Sequence, residues 1–454
     1  MKRNGLGVVA IVVSLLAAPV AKADTLSDAL VSAYNSSGLL EQNRALLRAA
    51  DEGVAQAMGS LLPVISWSVS SSRTDTDAAF GGGVTNSTVA RLTGSLTLFD
   101  GGSNRLAIDA QKEVVLATRQ SLRSVEQSVL LRAVQSYMNL ISAGEFVQLR
   151  QNNVRLITQE LRAAEDRFEV GEVTRTDVSL AQARLAQARS LLASAQGDLA
   201  IAREEYRAAV GEEAGAPRGV GPAPVSRNLS DAQDFAARNH PAILEAQHNV
   251  AAAELNIRRA QTAVMPSVTL DGFMSRDNND TNTAQIGVNI GGPLYAGGAI
   301  SSQIRQAQAN RDAARSGLHL GLIGIEQQVA NAFAQLQVAR ATRVASEEQI
   351  RAATVAFQGV REEATLGSRT TLDVLNAEQE LLDARANRIA AQSSEVVASY
   401  AVLSAMGLLT AEHLNLPVQQ YDPSEYYNLV TDAPGRVSAQ GEALDRVLRA
   451  LGRN

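Results

Sequence analysis

Side chains that could do bond chemistry are few and badly placed in this chain. It has four histidines, His240, His248, His319 and His413, and no cysteine. The histidines are scattered without the spacing that holds a metal ion. The lack of cysteine excludes a thiolate nucleophile, a disulfide framework, a Cys-ligated metal and an N-terminal lipidated Cys. Gly81-Gly82-Gly83 lacks the Gly-Lys-Ser/Thr that completes a phosphate cradle. No nucleophile–base pair presents itself, so an enzyme is not expected, nor any cofactor or structural metal. What remains is two short polar segments, each just after a glycine. In the first, Gly171, Val173, Thr174, Thr176 and Asp177 fall together; in the second, Gly367, Ser368, Arg369, Thr370 and Asp373. Thr174-x-x-Asp177 and Thr370-x-x-Asp373 are capping-box patterns, with the acid also favoured by the helix dipole. Arg369 has no such duty, because a cation is disfavoured at a helix N-terminus. It is the first candidate for a functional side chain.

The elements that must position these segments are long helices. Among 454 residues, 45% are hydrophobic but only 4% aromatic, a composition suited to helices rather than an aromatic-rich core. None of the eleven prolines falls between Val64 and Ala216 or between Leu294 and Leu416. Ser103 to Glu169 holds one glycine and can form a single helix; Gly171 breaks it, and Thr174 starts a helix that returns to about Val210. Ser301 to Glu363 and Thr370 to Met406 repeat the arrangement about Gly367. Positions 178, 181, 185, 188, 192, 195, 199, 202, 206 and 209 alternate in steps of three and four, with Ala at every second place. That is a coiled-coil seam with closely approaching axes. Ala377, Ala384, Ala391, Ala398 and Ala405 repeat it, while Arg388 and Glu395 on the other seam position make that stretch less apolar.

Two further segments have period two instead of three and a half. Ile65, Trp67 and Val69 alternate with serines, and Ala90, Leu92, Leu96 and Leu98 alternate with polar residues; Arg73 to Ser87 reads as the loop between them. Val268, Leu270 and Met274, then Ala284, Ile286, Val288 and Ile290, form a second hairpin about a loop near Arg276 to Thr283. Four such strands cannot close a membrane barrel, which needs at least eight. They either share a barrel between subunits or pack as small sandwich hairpins.

The chain is thus one unit written twice. Leu98-Phe99-Asp100-Gly101-Gly102 matches Leu294-Tyr295-Ala296-Gly297-Gly298, and Gly171 to Arg189 matches Gly367 to Arg385. The expected order is a signal peptide over 1–23, with Lys2 and Arg3, an apolar run and an Ala21-Lys22-Ala23 cleavage site. A first repeat covers 24–216, with a β-hairpin at about 64–99 and a helical hairpin at about 103–210, its tip at 170–177. A linker covers 217–230. The second repeat covers 231–410, with a β-hairpin at about 267–295 and a helical hairpin at about 301–406, its tip at 364–373. A tail, 411–454, has no repeat partner and either wraps the helices or lacks fixed structure. No segment after the leader is apolar enough for a transmembrane helix. A formal net charge of −6 excludes a broad nucleic-acid surface.

In its duplicated order of strand hairpin, Gly-Gly exit and Gly-containing helical tip, the chain resembles the TolC family of outer-membrane efflux and type I secretion channels. The resemblance implies a mainly α fold with a β-barrel part: a trimeric twelve-stranded outer-membrane barrel continued by a twelve-helix periplasmic α-barrel. It implies a homotrimer in outer-membrane lipid that meets a periplasmic adaptor and an inner-membrane transporter, without catalysis. By the same resemblance, Asp177, Thr176 and Arg369 match positions that hold the periplasmic entrance closed. Asp373 matches a carboxylate ring that favours cations and can be blocked by one. Gly171, Val173, Thr174, Gly367, Ser368 and Thr370 match the tips that dock the adaptor. Ala364 and Asn376 depart from the Tyr and second acidic ring of some members, which implies a looser gate and weaker block. A structural coiled-coil surface protein is the alternative; it needs the heptads but neither the strands nor the twofold repeat.

Overall fold

The computed structural model describes residues 25–76, 82–226, 228–432, 435 and 438–450, so the expected signal peptide lies outside the described residues. Elements run in the order α1 (Leu26–Ser36), α2 (Gly38–Gly59), β1 (Val64–Thr76), β2 (Gly83–Phe99), α3 (Ser103–Glu169) and α4 (Arg175–Val210). The second half repeats them as α5 (Leu229–Asn239), α6 (Pro241–Gln261), β3 (Ser267–Asp277), β4 (Asn282–Gly291), α7 (Ala299–Thr365) and α8 (Thr371–Ala405). The tail adds α9 (Pro423–Val430) and α10 (Ala439–Ala450). No described helix is apolar enough over sufficient length to cross a membrane.

Two compact units cut across the two halves. One comprises the segment ending at Ala33 with Ala133–Pro222 and Arg343–Val396; the other comprises Tyr34–Arg132, Ala223–Thr342 and the chain from Val397 onward. Very long helices make this unavoidable, since each of α3 and α7 contributes its two ends to different cores.

In the first unit the expected seam is buried on its alanine side. Ala181, Leu185, Ala188, Ala195, Ala202 and Tyr206 are buried, whereas 178, 192, 199 and 209 are half-buried and Val210 replaces Ala209 inside. Small residues at alternate places let α4 approach α3, whose Ile157 meets Leu185 and Ala188. In α8 the buried face is wider than one seam: Val374, Leu375, Glu378, Leu381, Leu382 and Ala384 are all buried, and Ala377 is half-buried. Glu395 is buried and pairs with Arg343 of α7 at 2.6 Å, whereas Arg388 is exposed. That pair explains how a carboxylate survives on the inner face: its charge is compensated by a guanidinium that also holds Glu347 at 2.7 Å.

The second unit contains the sheet. Its strands form an antiparallel meander in the order β1-β2-β3-β4, so β2 pairs with β3 across the two halves. The strands are longer than the sequence pattern suggests. Backbone pairing carries β1 through Arg73 to Thr76 and starts β2 at Gly83, and it carries β3 through Arg276 to Asp277 and starts β4 at Asn282. Both expected loops therefore shrink, because the ladder continues where the apolar alternation has stopped. Register places Trp67, Leu92, Met274 and Ala284 in one cross-strand row and Ile65, Gly94, Gly272 and Ile286 in the next. The alternate rows are Ser66, Thr93, Phe273 and Gln285, and then Thr97, Thr269 and Asn289. The sheet thus has an apolar face and a mostly polar one.

In the same unit, Ile243 of α6, Ile325, Val329 and Phe333 of α7, Val402 of α8 and Met406 just after it form one packed cluster. Of the tail, α9 packs on α2 through Tyr426 and Val430 against Ala55. The Tyr426 hydroxyl is 2.6 Å from Glu52, and the Pro423 carbonyl accepts from Arg119 of α3 at 3.2 Å.

Candidate functional site

The two helical turns are built alike, as their duplicated sequence requires. Gly171 has φ +81° and Gly367 φ +78°, the left-handed conformation that ends a helix without a Cβ clash. Glu172 N then donates to the Arg167 carbonyl (2.9 Å), and Ser368 N donates to that of Glu363 (3.0 Å). Each closes its helix with a Schellman-type bond. Thr174 and Thr370 follow as caps. The Asp177 carboxylate accepts from Thr174 N at 2.9 Å and from its hydroxyl at 2.7 Å; Asp373 does the same with Thr370 at 3.0 and 2.8 Å. Both acids serve the capping duty that the sequence allowed. The Thr174 hydroxyl and backbone hold Asp177 below the usual carboxylate range. The backbone and hydroxyl of Thr370, helped by the charge of Arg369, do so for Asp373. Both are anionic at neutral pH, as a charged ring or a polar latch requires.

Arg369 lies 2.8 Å from Glu363 and is half-exposed. Its partner Glu363 lies on the other side of the turn, a surface pairing rather than the capping duty that the two aspartates serve. Among the described residues it forms no ion pair with Asp177 inside the chain. Thr174 and Thr176 are exposed, Val173 is half-buried, and Gly171, Gly367 and Ser368 lie open on the turns. Beside them, Val170 (72% exposed) and Leu366 (85%) present bare apolar side chains at the tips.

Sequence reading missed the links between the two hairpins. Arg184 of α4 donates to Asn376 of α8 (3.3 Å), so the residue that replaces a second acid is engaged within the chain. Arg361 of α7 lies 3.7 Å from Glu160 of α3. Buried Asn153 of α3 donates to buried Glu378 of α8 at 3.2 Å. Residues so far apart in sequence leave no local signal; only Glu378, polar on an otherwise apolar stripe, could have been flagged. Burial, reinforced by Glu160, lifts Glu378 to about 7 against the pull of Asn153 and Arg361.

That shift has a testable sign. An acid whose folded value is raised contributes stability that is full below its unfolded value, 4.5, and is lost as pH rises through about 7. Glu378→Gln should therefore raise the thermal midpoint at pH 8 and leave it nearly unchanged at pH 4.5, since other raised acids act alike in both proteins. An identical pH profile for the variant would show that Glu378 titrates as an ordinary carboxylate.

The chain's likeness to known proteins decides what these turns belong to. The family model described as "Outer membrane efflux protein" matches residues 29–212 and 234–408. The chain belongs to the outer membrane efflux protein family. The outer membrane efflux protein BepC of Brucella suis is 37% identical over 436 residues, covering 92% of this chain and 93% of the relative. The outer membrane protein TolC of Escherichia coli is 23% identical over 419 residues, covering 87% and 84%. Among solved structures, the CmeC outer membrane channel of Campylobacter jejuni superposes with TM-score 0.76 at 18% identity, over 90% of each chain. The family is one of outer-membrane channel proteins, and its members are TolC-like in fold. This efflux-family chain is accordingly an outer-membrane protein with a long periplasmic helical part, and the two turns lie at the ends of its helical hairpins.

Proposed function

We propose that three copies of this chain form the exit duct of a tripartite efflux pump or type I secretion system. Their sheets close a twelve-stranded barrel, and their hairpins a twelve-helix periplasmic tunnel. One observation carries the reading: four long strands expose an apolar face while β1 and β4 leave their outer edges unpaired among the described residues. Trp67 (79% exposed), Ile286 (77%) and Ile290 (69%) cover that face. An open sheet with bare edges cannot lie in lipid, where every backbone group must be paired, so edge must meet edge of another copy. Three times four strands gives an even count within the range of membrane barrels. The polar rows, with Ser66, Thr93, Gln285 and Asn289, then line a watery lumen.

In the assembled duct the tips act as gate and dock. Asp177 and Thr176 of one copy meet Arg369 of a neighbour, three Asp373 carboxylates narrow the pore and attract cations, and a cation held there blocks it. Exposed Val170 and Leu366, with Gly171, Val173, Thr174, Gly367, Ser368 and Thr370, receive a periplasmic adaptor, which links the duct to an inner-membrane transporter. The cargo, small molecule or polypeptide, is selected by those partners. Its likeness to BepC favours efflux.

The first test is assembly. Outer-membrane fractions should yield a detergent-extracted trimer that resists dodecyl sulfate until heated. A monomer that stays folded in detergent-free buffer would sink the duct and favour a coiled-coil surface protein.

A further inference from the structure

Where the sheet gives way to the helices, the chain changes chemistry within a few residues. Val264 (57% exposed), Met265 (49%), Leu294 (105%) and Tyr295 (90%) stand bare at the strand ends. One or two helical turns further lie Arg105 at the start of α3, Arg258 and Arg259 at the end of α6, and Arg305 at the start of α7; all four are exposed. Among the described residues none of the four has an ion-pair partner. The nearby acids are committed: Asp100 accepts from Gly102 N (2.9 Å) and Asn104 N (2.7 Å), Asp109 pairs with Lys112 (3.2 Å), and Glu254 with Arg315 (2.6 Å). A groove of about 460 Å³ opens here, lined by Arg259, Asn256, Thr262, Ser103, Gln303 and the turn-bound Asp100, with Met265 on its apolar side. Arg259 also borders a second groove of about 490 Å³ against α2 and α3.

Apolar anchors on one side and uncompensated guanidinium groups on the other match an acyl chain and a phosphate joined in one molecule. Guanidinium is suited to this because its planar donors fit phosphate oxygens in pairs. The level also fits: the helices are periplasmic, so the strand–helix junction faces the inner leaflet of the outer membrane.

We propose that this groove, centred on Arg259 and supported by Arg258, Arg105 and Arg305, binds the headgroup of an anionic phospholipid in the periplasm-facing leaflet. The proposal rests on the reading of the sheet as a membrane barrel. Lipid bound there ties each sheet–helix junction to the bilayer and fixes the depth at which the protein sits.

Trp67, the only tryptophan, provides the readout. The full-length mature protein is inserted into phosphatidylcholine vesicles carrying a trace of labelled phosphatidylglycerol, or of labelled phosphatidylcholine, as energy acceptor. Transfer from Trp67 should show enrichment of the anionic lipid, by about fivefold for each arginine engaged at the surface. The enrichment should fall with added salt and disappear in Arg258→Gln/Arg259→Gln. Arg315→Gln, in a residue already paired with Glu254, should retain it. Equal transfer from both lipids in the wild type, or enrichment that survives the double substitution, overturns the proposal. Conductance across the same vesicles separates the two readings: a conducting protein without enrichment removes only the lipid site, whereas failure to insert or conduct removes the barrel as well.

Discussion

Arg369→Ser should convert a small, cation-preferring single-channel conductance into one several times larger in planar bilayers. The reason lies in where the Arg369 charge can be satisfied. Within the chain it has Glu363 at 2.8 Å, but both side chains are about half exposed. A pair so placed is screened by solvent and contributes little to the fold. Losing it therefore barely affects the fold of the turn, which is held by the backbone bonds at Gly367 and Ser368 and by the Thr370 cap. In the proposed closed trimer, however, the same guanidinium would recur three times around a constriction and be drawn to acids of the adjacent copy. Three variants separate the two roles. If Arg369 acts only through its own turn, Glu363→Gln should open the pore as far as Arg369→Ser does. If it latches onto Asp177 of a neighbour, Asp177→Asn should open it and Glu363→Gln should not. Unchanged conductance in all three would leave the residues with capping and surface pairing alone. Asp373→Asn adds an independent arm: the Asn oxygen can still accept from Thr370 N, yet the ring loses its charge, so cation preference and divalent block should both fall.

How much of this was legible beforehand depends on whether the signal is local. The capping boxes at Thr174 and Thr370 and the breaks at Gly171 and Gly367 are contained in a few residues, and helix ends fall within a residue or two of their expected places. The heptad alanines were equally plain, because a repeated spacing survives any context. The strand ends were not. Arg73, Asp75 and Arg276 lack the apolar alternation, but they stay in the ladder because backbone pairing needs no particular side chain. The broad inner face of α8 was hidden for a related reason: the seam read from spacing assumes one neighbour, and α8 has both α3 and α7 against it. Glu378 stands out in the sequence only as a polar residue on the inner face; its partner, Asn153, lies 225 residues away and leaves no local signal. The tail could not be placed without a repeat partner, and its docking rests on tyrosines that meet α2 and α3 only in the folded chain.

The sharpest test of which sheet face meets lipid uses two adjacent residues of one strand. Ile286 and Gln285 differ in sequence by one place and therefore point to opposite faces. Ile286 shares its row with Ile65, Gly94 and Gly272, and Gln285 with Ser66, Thr93 and Phe273, where Arg91 also lies 4.3 Å from the aromatic ring. Lysine on a lipid-facing strand costs about 2–4 kcal/mol near the bilayer midplane. A trimer bears that cost three times, so Ile286→Lys should abolish heat-resistant trimers in the outer membrane. Gln285→Lys adds the same charge at the same depth but on the watery side. It should assemble normally and shift ion preference away from cations, because three new ammonium groups line the lumen. Equal loss of trimer in both variants would mean that the strand tolerates no lysine for reasons of packing. Assembly of Ile286→Lys with failure of Gln285→Lys would invert the sheet, placing Trp67 and Ile286 inside and the serine rows against another protein. The effect is large enough that a gel of membrane fractions, heated and unheated, decides it.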